Sequence, residues 1–307
     1  MSASVVVIGS INQDVTVTVD RFPEPGETLY TRSLSYRLGG KGANQAAAAA
    51  HAGARSSFVG RVGSDAAGPA LCEELAGHGV DVTGLLVDEG TTGSAFITVS
   101  ATGENTILID AGANGRVTAR QATEAAATLG RADVVVLQGE IPAAANAAAI
   151  AAARGAGART ILNLAPVYDI APQDLAAVDI LVVNETEAGL VLGRPAPSGT
   201  DEALGAAARL AERGPRRILI TLGGAGAVWH DAFAADGPRG AHVEAIAAGP
   251  VVDTTGAGDA SVGALAAALA LGLDFERAVS QAMRAGSAAV LSAGAAASYG
   301  AIKSIEI

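Results

Sequence analysis

Val134-Val135-Val136-Leu137, an alanine-rich run from Ala143 to Arg154, and Thr160-Ile161-Leu162 follow one another in a single stretch. Two short apolar runs flank a segment of helical length and composition, so the stretch reads as strand, helix, strand. The same rhythm extends outward in both directions. Val5–Ile8, Ser57–Val59, Ile180–Val183 and Arg217–Thr221 read as further strands. Ala43–Ala52, Pro69–Gly77, Thr118–Leu129, Asp201–Arg213, Ala260–Leu271 and Phe275–Leu291 read as helices. This alternation predicts an α/β fold with a mostly parallel central sheet and helices on both faces. Neither a solenoid repeat nor a Ser/Pro linker divides the chain, and 307 residues suit a single domain spanning 1–307.

Two segments depart from the rhythm. Val15, Val17 and Val19 alternate with Thr16 and Thr18, and the turn Arg21-Phe22-Pro23-Glu24-Pro25-Gly26 leads to a second extended run near 29–36. Further on, Ala95–Ser100 and Thr106–Ile109 flank a turn-forming stretch. Both read as antiparallel excursions, at about 12–38 and 93–112, that form a small β-sheet lid. Ile107-Leu108-Ile109 is apolar on both faces, which predicts that a second subunit covers the lid in a homodimer.

Half of the residues are hydrophobic but only 3% are aromatic, so the core is expected to pack small side chains closely. A net charge of −11 argues against a nucleic-acid or anionic-membrane partner. It leaves phosphate ligands open, because backbone amides and a bound cation can hold them locally. Cys72, the only cysteine, reads as a buried small apolar residue, and His51, His78, His230 and His242 are scattered without ligand spacing. No basic segment precedes Val5–Ile8, and the apolar run Ala264–Leu273 is too short to span a bilayer. The expectation is a soluble, cytoplasmic protein.

Four stretches carry candidate chemistry. Asp253-Thr254-Thr255-Gly256-Ala257-Gly258-Asp259 runs directly into a helix, placing unpaired amides beside a carboxylate. Such a turn can hold the charge of a transferring phosphoryl group while Asp259 accepts a proton from an attacking alcohol. The plain alternative is that Asp259 caps its helix. Gly39-Gly40-Lys41-Gly42-Ala43-Asn44 also opens a helix, but it is no Walker motif: Ser35 stands where the first glycine belongs, and Gly42 follows the lysine. The dinucleotide fingerprint fails as well, since neither Gly224-Ala225-Gly226 nor Gly256-Ala257-Gly258 has its third glycine. Gly9-Ser10-Ile11-Asn12-Gln13-Asp14 ends the first strand, where open α/β sheets bind ligands; Asn12, Asp14, Lys41 and Asn44 make a candidate polyol cradle. Asn184-Glu185-Thr186-Glu187 reads equally as a helix cap and as a phosphate and Mg²⁺ site.

In this order and spacing, the stretches resemble the PfkB family of carbohydrate kinases, and within it the ribokinase branch. Gly39, Gly40, Asn44, Gly53 and Gly63 match the first family signature, and Asp253 through Ala266 match the second. Phe22-Pro23-x-Pro25-Gly26-Glu27, Gly60-Arg61-Val62-Gly63-x-Asp65 and Ala111-Gly112-Ala113-Asn114 are similar too. The resemblance implies a ribokinase-like three-layer sandwich and ATP-dependent phosphorylation of a sugar's primary hydroxyl, with D-ribose converted to ribose 5-phosphate. It implies Asp259 as base with Gly256, Ala257 and Gly258 as anion hole, and sugar contacts from Asn12, Asp14, Gly40, Lys41, Asn44 and Glu140. It also implies nucleotide contacts from Asn184, Glu187, Thr221, Gly223 and Gly226, with Mg²⁺ beside the phosphates. Asp253, Thr255, Gly294 and Ser298 would bind K⁺.

Several positions depart from that pattern. Leu164 stands where proline is usual, and Gly139 replaces a larger residue, which predicts a roomier sugar pocket. Met283 replaces a polar residue near the adenine, and the 294–298 tail lacks the usual Gln and Pro. The rival readings are a family kinase for another sugar, sugar acid or nucleoside, and a sugar-binding sensor without catalysis.

Overall fold

The computed structural model describes residues 4–127, 129–130, 133–234, 239–246 and 249–305. The first half of the chain contains β1 (Ser4–Ile8), β2 (Asn12–Val19), β3 (Ser33–Gly39), α1 (Lys41–His51), β4 (Arg55–Gly63), α2 (Ala67–Gly77), β5 (Asp81–Asp88), β6 (Gly93–Ser100), β7 (Asn105–Asp110), α3 (Ala119–Ala127) and β8 (Val134–Gln138). There follow α4 (Ala143–Ala156), β9 (Arg159–Asn163), α5 (Pro172–Leu175), β10 (Ile180–Asn184), α6 (Glu185–Leu192), α7 (Thr200–Ala211), β11 (Arg217–Thr221), β12 (Ala227–Asp231), β13 (Gly240–Val243), α8 (Ala257–Ala270) and α9 (Phe275–Ala289).

The central sheet has nine strands in the order β13-β12-β11-β10-β9-β8-β1-β4-β5. The run from β11 to β5 is parallel, and β12 and β13 add an antiparallel edge. Alternation along each strand divides the core in two. Val5, Val7, Val134, Val136, Val182 and Leu219 pack with α1, α8 and α9. Val6, Ile8, Val135, Leu137, Leu181 and Ile220 pack with α4, α6 and α7. The result is helix, sheet, helix: three layers with a core on each side of the sheet. The chain leaves β1 for β4 on one side and returns to β8 on the other. Strand order therefore reverses at β1, and the crevice beyond the strands' carboxyl ends opens there.

A second sheet is ordered β3-β2-β6-β7. Its two hairpins are antiparallel, and the parallel pair β2–β6 joins them. Asn12, Asp14 and Ala95 lie on one face, whereas Tyr36, Val15, Phe96 and Leu108 form a cross-strand row on the other.

Three strands were not anticipated: β5, β12 and β13. Helix boundaries differ as well, most of them by one or two residues. Helix α8 begins at Ala257, three residues before the expected Ala260, and α3 runs from Ala119 to Ala127, with residue 128 outside the described residues. Cys72 is half-buried instead of fully buried. Of the scattered histidines, two meet: His51 Nε2 lies 3.0 Å from His78 Nδ1.

Candidate active site

Gly256 precedes α8 with φ at 77°, a left-handed turn that glycine adopts without strain. Tyr299, wholly buried, donates its hydroxyl to the Gly256 carbonyl at 2.8 Å and fixes the turn from behind. Burial, then the Asp259 carboxylate, pushes the Tyr299 phenol well up, so it stays a neutral donor. The Ala257 amide reaches the Thr254 carbonyl at 3.3 Å, and Ala260 closes the first helical bond onto Gly256. The amides of Gly258 and Asp259 fall in the first turn, where a helix has no carbonyl to offer. Gly258 and Asp259 line the crevice, at the positive end of the α8 dipole.

Asp259 does not cap its helix. Its Oδ2 accepts from Asn44 Nδ2 at 3.1 Å, and its Oδ1 accepts from Gln45 Nε2 at 2.9 Å. Both donors come from α1, which approaches α8 so closely that a Cβ on Gly263 would lie 2.4 Å from the Gln45 carbonyl. Small residues on α8 therefore bring two amides, over two hundred positions away in sequence, onto the carboxylate. Asn44 Oδ1 is buried without a partner among the described residues and remains able to accept.

On one side of Asp259 lies the proposed sugar cradle. Asn12 accepts from Asn114 Nδ2 at 2.7 Å, and Asn114 is anchored on the backbone of Ile11 by two further bonds. Glu140 Oε2 accepts from Ser10 Oγ at 2.5 Å and from the Lys41 amide at 3.0 Å, tying the loop after β8 to the start of α1. Gly40 precedes α1 with φ at 87°. Asp14 is pushed up to about 7, first by burial, then by Glu140 and Asp259. The same carboxylates, Asp259 foremost, with Glu140 and Glu187, raise the Lys41 ammonium against the opposing effect of burial.

On the other side, Asn184 and Glu187 form a complete capping box, with bonds of 2.8 Å in each direction, and both also line the crevice beside Thr221, Gly258 and Asp259. The two readings of Asn184-Glu185-Thr186-Glu187 are compatible: one Glu187 oxygen holds the cap and the other is left for the cleft. Burial pushes the Glu187 carboxyl up, and Asp259 adds to it. Gly223 is exposed in a short 3-10 turn, while Gly226 is buried under the backbone of residues 243–245 and bonds only within its own turn. Asp253 accepts from the Thr255 amide at 2.9 Å and the Gly294 amide at 2.8 Å; burial pushes its carboxyl up, but those bonds outweigh it and hold it low. Ser298 Oγ donates to the Ala295 carbonyl at 2.8 Å, behind the same loop.

The pfkB family carbohydrate kinase profile matches residues 2–301. The chain belongs to that family. A ribokinase from Haemophilus influenzae is 33% identical over 299 residues, covering 97% of this chain and 95% of the relative. A mouse ribokinase is 39% identical over 271 residues, covering 88% and 82%. The solved structure of Arabidopsis thaliana ribokinase complexed with ribose and ATP superposes with a TM-score of 0.87 at 32% identity, covering 99% of this chain and 96% of that one. As a carbohydrate kinase of this family, the protein is a phosphotransferase with an alcohol acceptor.

Five residues to which the sequence assigned no role, Gln45, Gln138, Asn163, Ser10 and Asn114, bond to the candidate site residues or to one another beside them. The signal for Gln45, Gln138 and Asn163 was a polar side chain within an alanine helix or at a strand's carboxyl end, whereas Ser10 and Asn114 stood in quoted motifs. The expectation for Gly139 is overturned: a Cβ there would lie 1.9 Å from the Pro166 carbonyl, so backbone, not open pocket, occupies the space. Met283 is buried in the core on the α9 side, and Leu164 is buried in the opposite core.

Proposed function

We propose that the protein transfers the γ-phosphoryl group of ATP to the primary hydroxyl of D-ribose, giving ribose 5-phosphate and ADP. One observation carries the reading: the Asp259 carboxylate is held between two α1 amides beside the free N–H groups of α8, with acceptor-binding and nucleotide-binding residues on either side. The hydroxyl oxygen attacks phosphorus, its proton passes to Asp259, and the bond to the bridging oxygen breaks as ADP leaves. The Gly256–Gly258 turn supports the charge on the moving phosphoryl oxygens. Asn12, Asp14, Gly40, Lys41, Asn44 and Glu140 orient the sugar, and the unpartnered Asn44 Oδ1 suits a hydroxyl donor. Asn184, Glu187, Thr221 and Gly223 bind the nucleotide, and Gly226 shapes their turn.

Glu187 and Asn184 suit Mg²⁺ held chiefly by phosphates and water, where the ion would neutralise charge on the nucleotide. The low-lying Asp253 carboxyl, with the backbone around Thr255, Gly294 and Ser298, suits a monovalent cation that would steady the 253–256 turn. The β2–β3–β6–β7 sheet acts as lid, excluding water as a competing acceptor. Its outer row, with Tyr36 59%, Phe96 50% and Leu108 74% exposed, supports a homodimer in which a second copy covers it. Leu108→Asp should then shift the protein to monomer by light scattering; an unchanged mass sinks the dimer.

The decisive test is Asp259→Asn, which should lower kcat roughly 10²- to 10⁴-fold with ribose binding retained. Near-normal turnover would remove Asp259 from the role. A panel of sugars with ADP release as readout tests ribose against other acceptors, and sugar binding without any ADP release would favour the sensor reading.

A further inference from the structure

Behind Asp259 lies a pair of amides to which the proposed mechanism assigns no task. The side chains of Gln45 on α1 and Gln138 at the end of β8 are both wholly buried. Gln45 Nε2 donates to Asp259 Oδ1 at 2.9 Å and to Asn163 Oδ1 at 3.0 Å, and Gln45 Oε1 accepts from Gln138 Nε2 at 2.8 Å. The direction of this chain is forced. An ionised carboxylate only accepts, so Gln45 must turn its NH₂ to Asp259. Its carbonyl then faces Gln138, which must present its own NH₂ in turn. The consequence sits at the far end: Gln138 Oε1 is buried with no partner among the described residues, against a Gly9 where a Cβ would lie 1.9 Å away. An amide kept only to satisfy the interior would not leave its own carbonyl orphaned.

We propose that Gln45, held in turn by Gln138, is a positioning residue for phosphoryl transfer: the one-way amide chain fixes the Asp259 carboxylate in a single orientation. The inference rests on the reading of Asp259 as base. Neither glutamine touches the substrate; both act through that carboxylate. The charged and titratable groups that face Asp259 from neighbouring elements are Lys41 of α1, Glu187 of α6, Asp14 of β2 and Tyr299 after α9. All four remain when the glutamines are changed, so removing the amides removes donors and dipoles but no net charge.

The test compares Gln45→Met, Gln138→Met, the double variant and Asp259→Asn, methionine being nearly isosteric with glutamine. For each, kcat and the KM for ribose and ATP are measured from about pH 5.5 to 9. Gln45→Met should lower kcat roughly 10- to 100-fold, the loss expected for a hydrogen bond to a charged group, with ribose KM within about threefold. The loss should fall on kcat and leave the KM for ATP within about threefold as well. Gln138→Met should do the same to a smaller extent, roughly 3- to 10-fold, and the double variant should be no worse than Gln45→Met. Strictly additive losses, or losses that appear in ribose KM and not in kcat, would overturn the proposal and leave the pair as core structure. If Gln45→Met does not fold, the profile of Gln138→Met decides on the same criteria. An inactive Asp259→Asn alongside glutamine variants that behave like the parent defeats this inference alone; an active Asp259→Asn defeats the base assignment.

Discussion

Replacing Asp14 by asparagine should stabilise the sugar-free protein at alkaline pH while destroying its hold on the sugar. Burial and the carboxylates of Glu140 and Asp259 raise the Asp14 carboxyl from 3.8 to about 7. The folded chain thus binds this proton more tightly than the unfolded chain does. Stability is full below about pH 3.8, declines as pH rises, and the deficit is complete above about 7. At about 1.4 kcal/mol per pH unit, the deficit is about 4 kcal/mol. An unfolding entropy of about 2.1 cal/mol/K per residue gives about 0.65 kcal/mol/K for this chain, so the full deficit is worth about 6 °C in Tm. Asparagine carries no charge at any of these pH values. Melting curves of parent and variant without ligand, at about pH 5 and 8.5, should show the variant's advantage growing by about 4 °C across the interval. Ribose should raise the Tm of the parent and leave the variant unmoved. Parallel Tm–pH curves for the two proteins would refute the reasoning, because the desolvated carboxylate would then carry no such strain.

Three further outcomes follow from the same geometry. Gly39→Ala puts a Cβ 2.1 Å from the Asp14 carboxyl without asking for an unusual backbone, so ribose affinity should fall roughly tenfold or more by calorimetry while ATP binding holds. Sugar hydroxyls donating to Asp14 favour its ionised form, so ribose binding near pH 6 should release close to one proton and near pH 8.5 almost none; the check is the dependence of binding heat on buffer ionisation enthalpy. Burial, then His78, lowers the His51 imidazole, so its contribution is present above about pH 6.5 and is lost as pH falls; His51→Asn should flatten the acid side of the Tm–pH curve.

Most of the sheet was legible because parallel strands buried on both faces are apolar runs, and the intervening helices are long enough to be told from them. The strands that escaped notice are those without that signature. In β5 no residue is fully buried and Gly84 interrupts the pattern, and β12 and β13 form an antiparallel edge. The start of α8 was misplaced because Ala257-Gly258 reads as turn, yet the first helical turn tolerates a glycine. Glu140 came only with the family resemblance, whereas Asp259 and Asn44 were legible as chemistry-bearing residues in short motifs. Gln45 was not, since its meaning lies in Gln138, Asn163 and Asp259, which are between 93 and 214 positions away.

The three costs in the cleft share one physical cause. Asp14 is raised by burial and then by neighbouring carboxylates, and among the described residues Asn44 Oδ1 is a buried acceptor without a donor and the Gly258 and Asp259 amides lack carbonyls. Each is unfavourable in the folded protein, and on the proposed function each is offset by a different part of the reactants: hydroxyl donors for Asp14 and Asn44, phosphoryl oxygens for the amides. Because the groups are already held by α1, α8 and the β2–β6 pairing, little reorganisation remains for the moment of reaction, which is where fixed dipoles outperform water. Sugar and nucleotide would then relieve separate strains on either side of one carboxylate. On that reading Asp259 would sit between them, on the helix whose N-terminus would face the phosphate, and this position, more than any individual contact, would be what the three-layer architecture contributes to the chemistry.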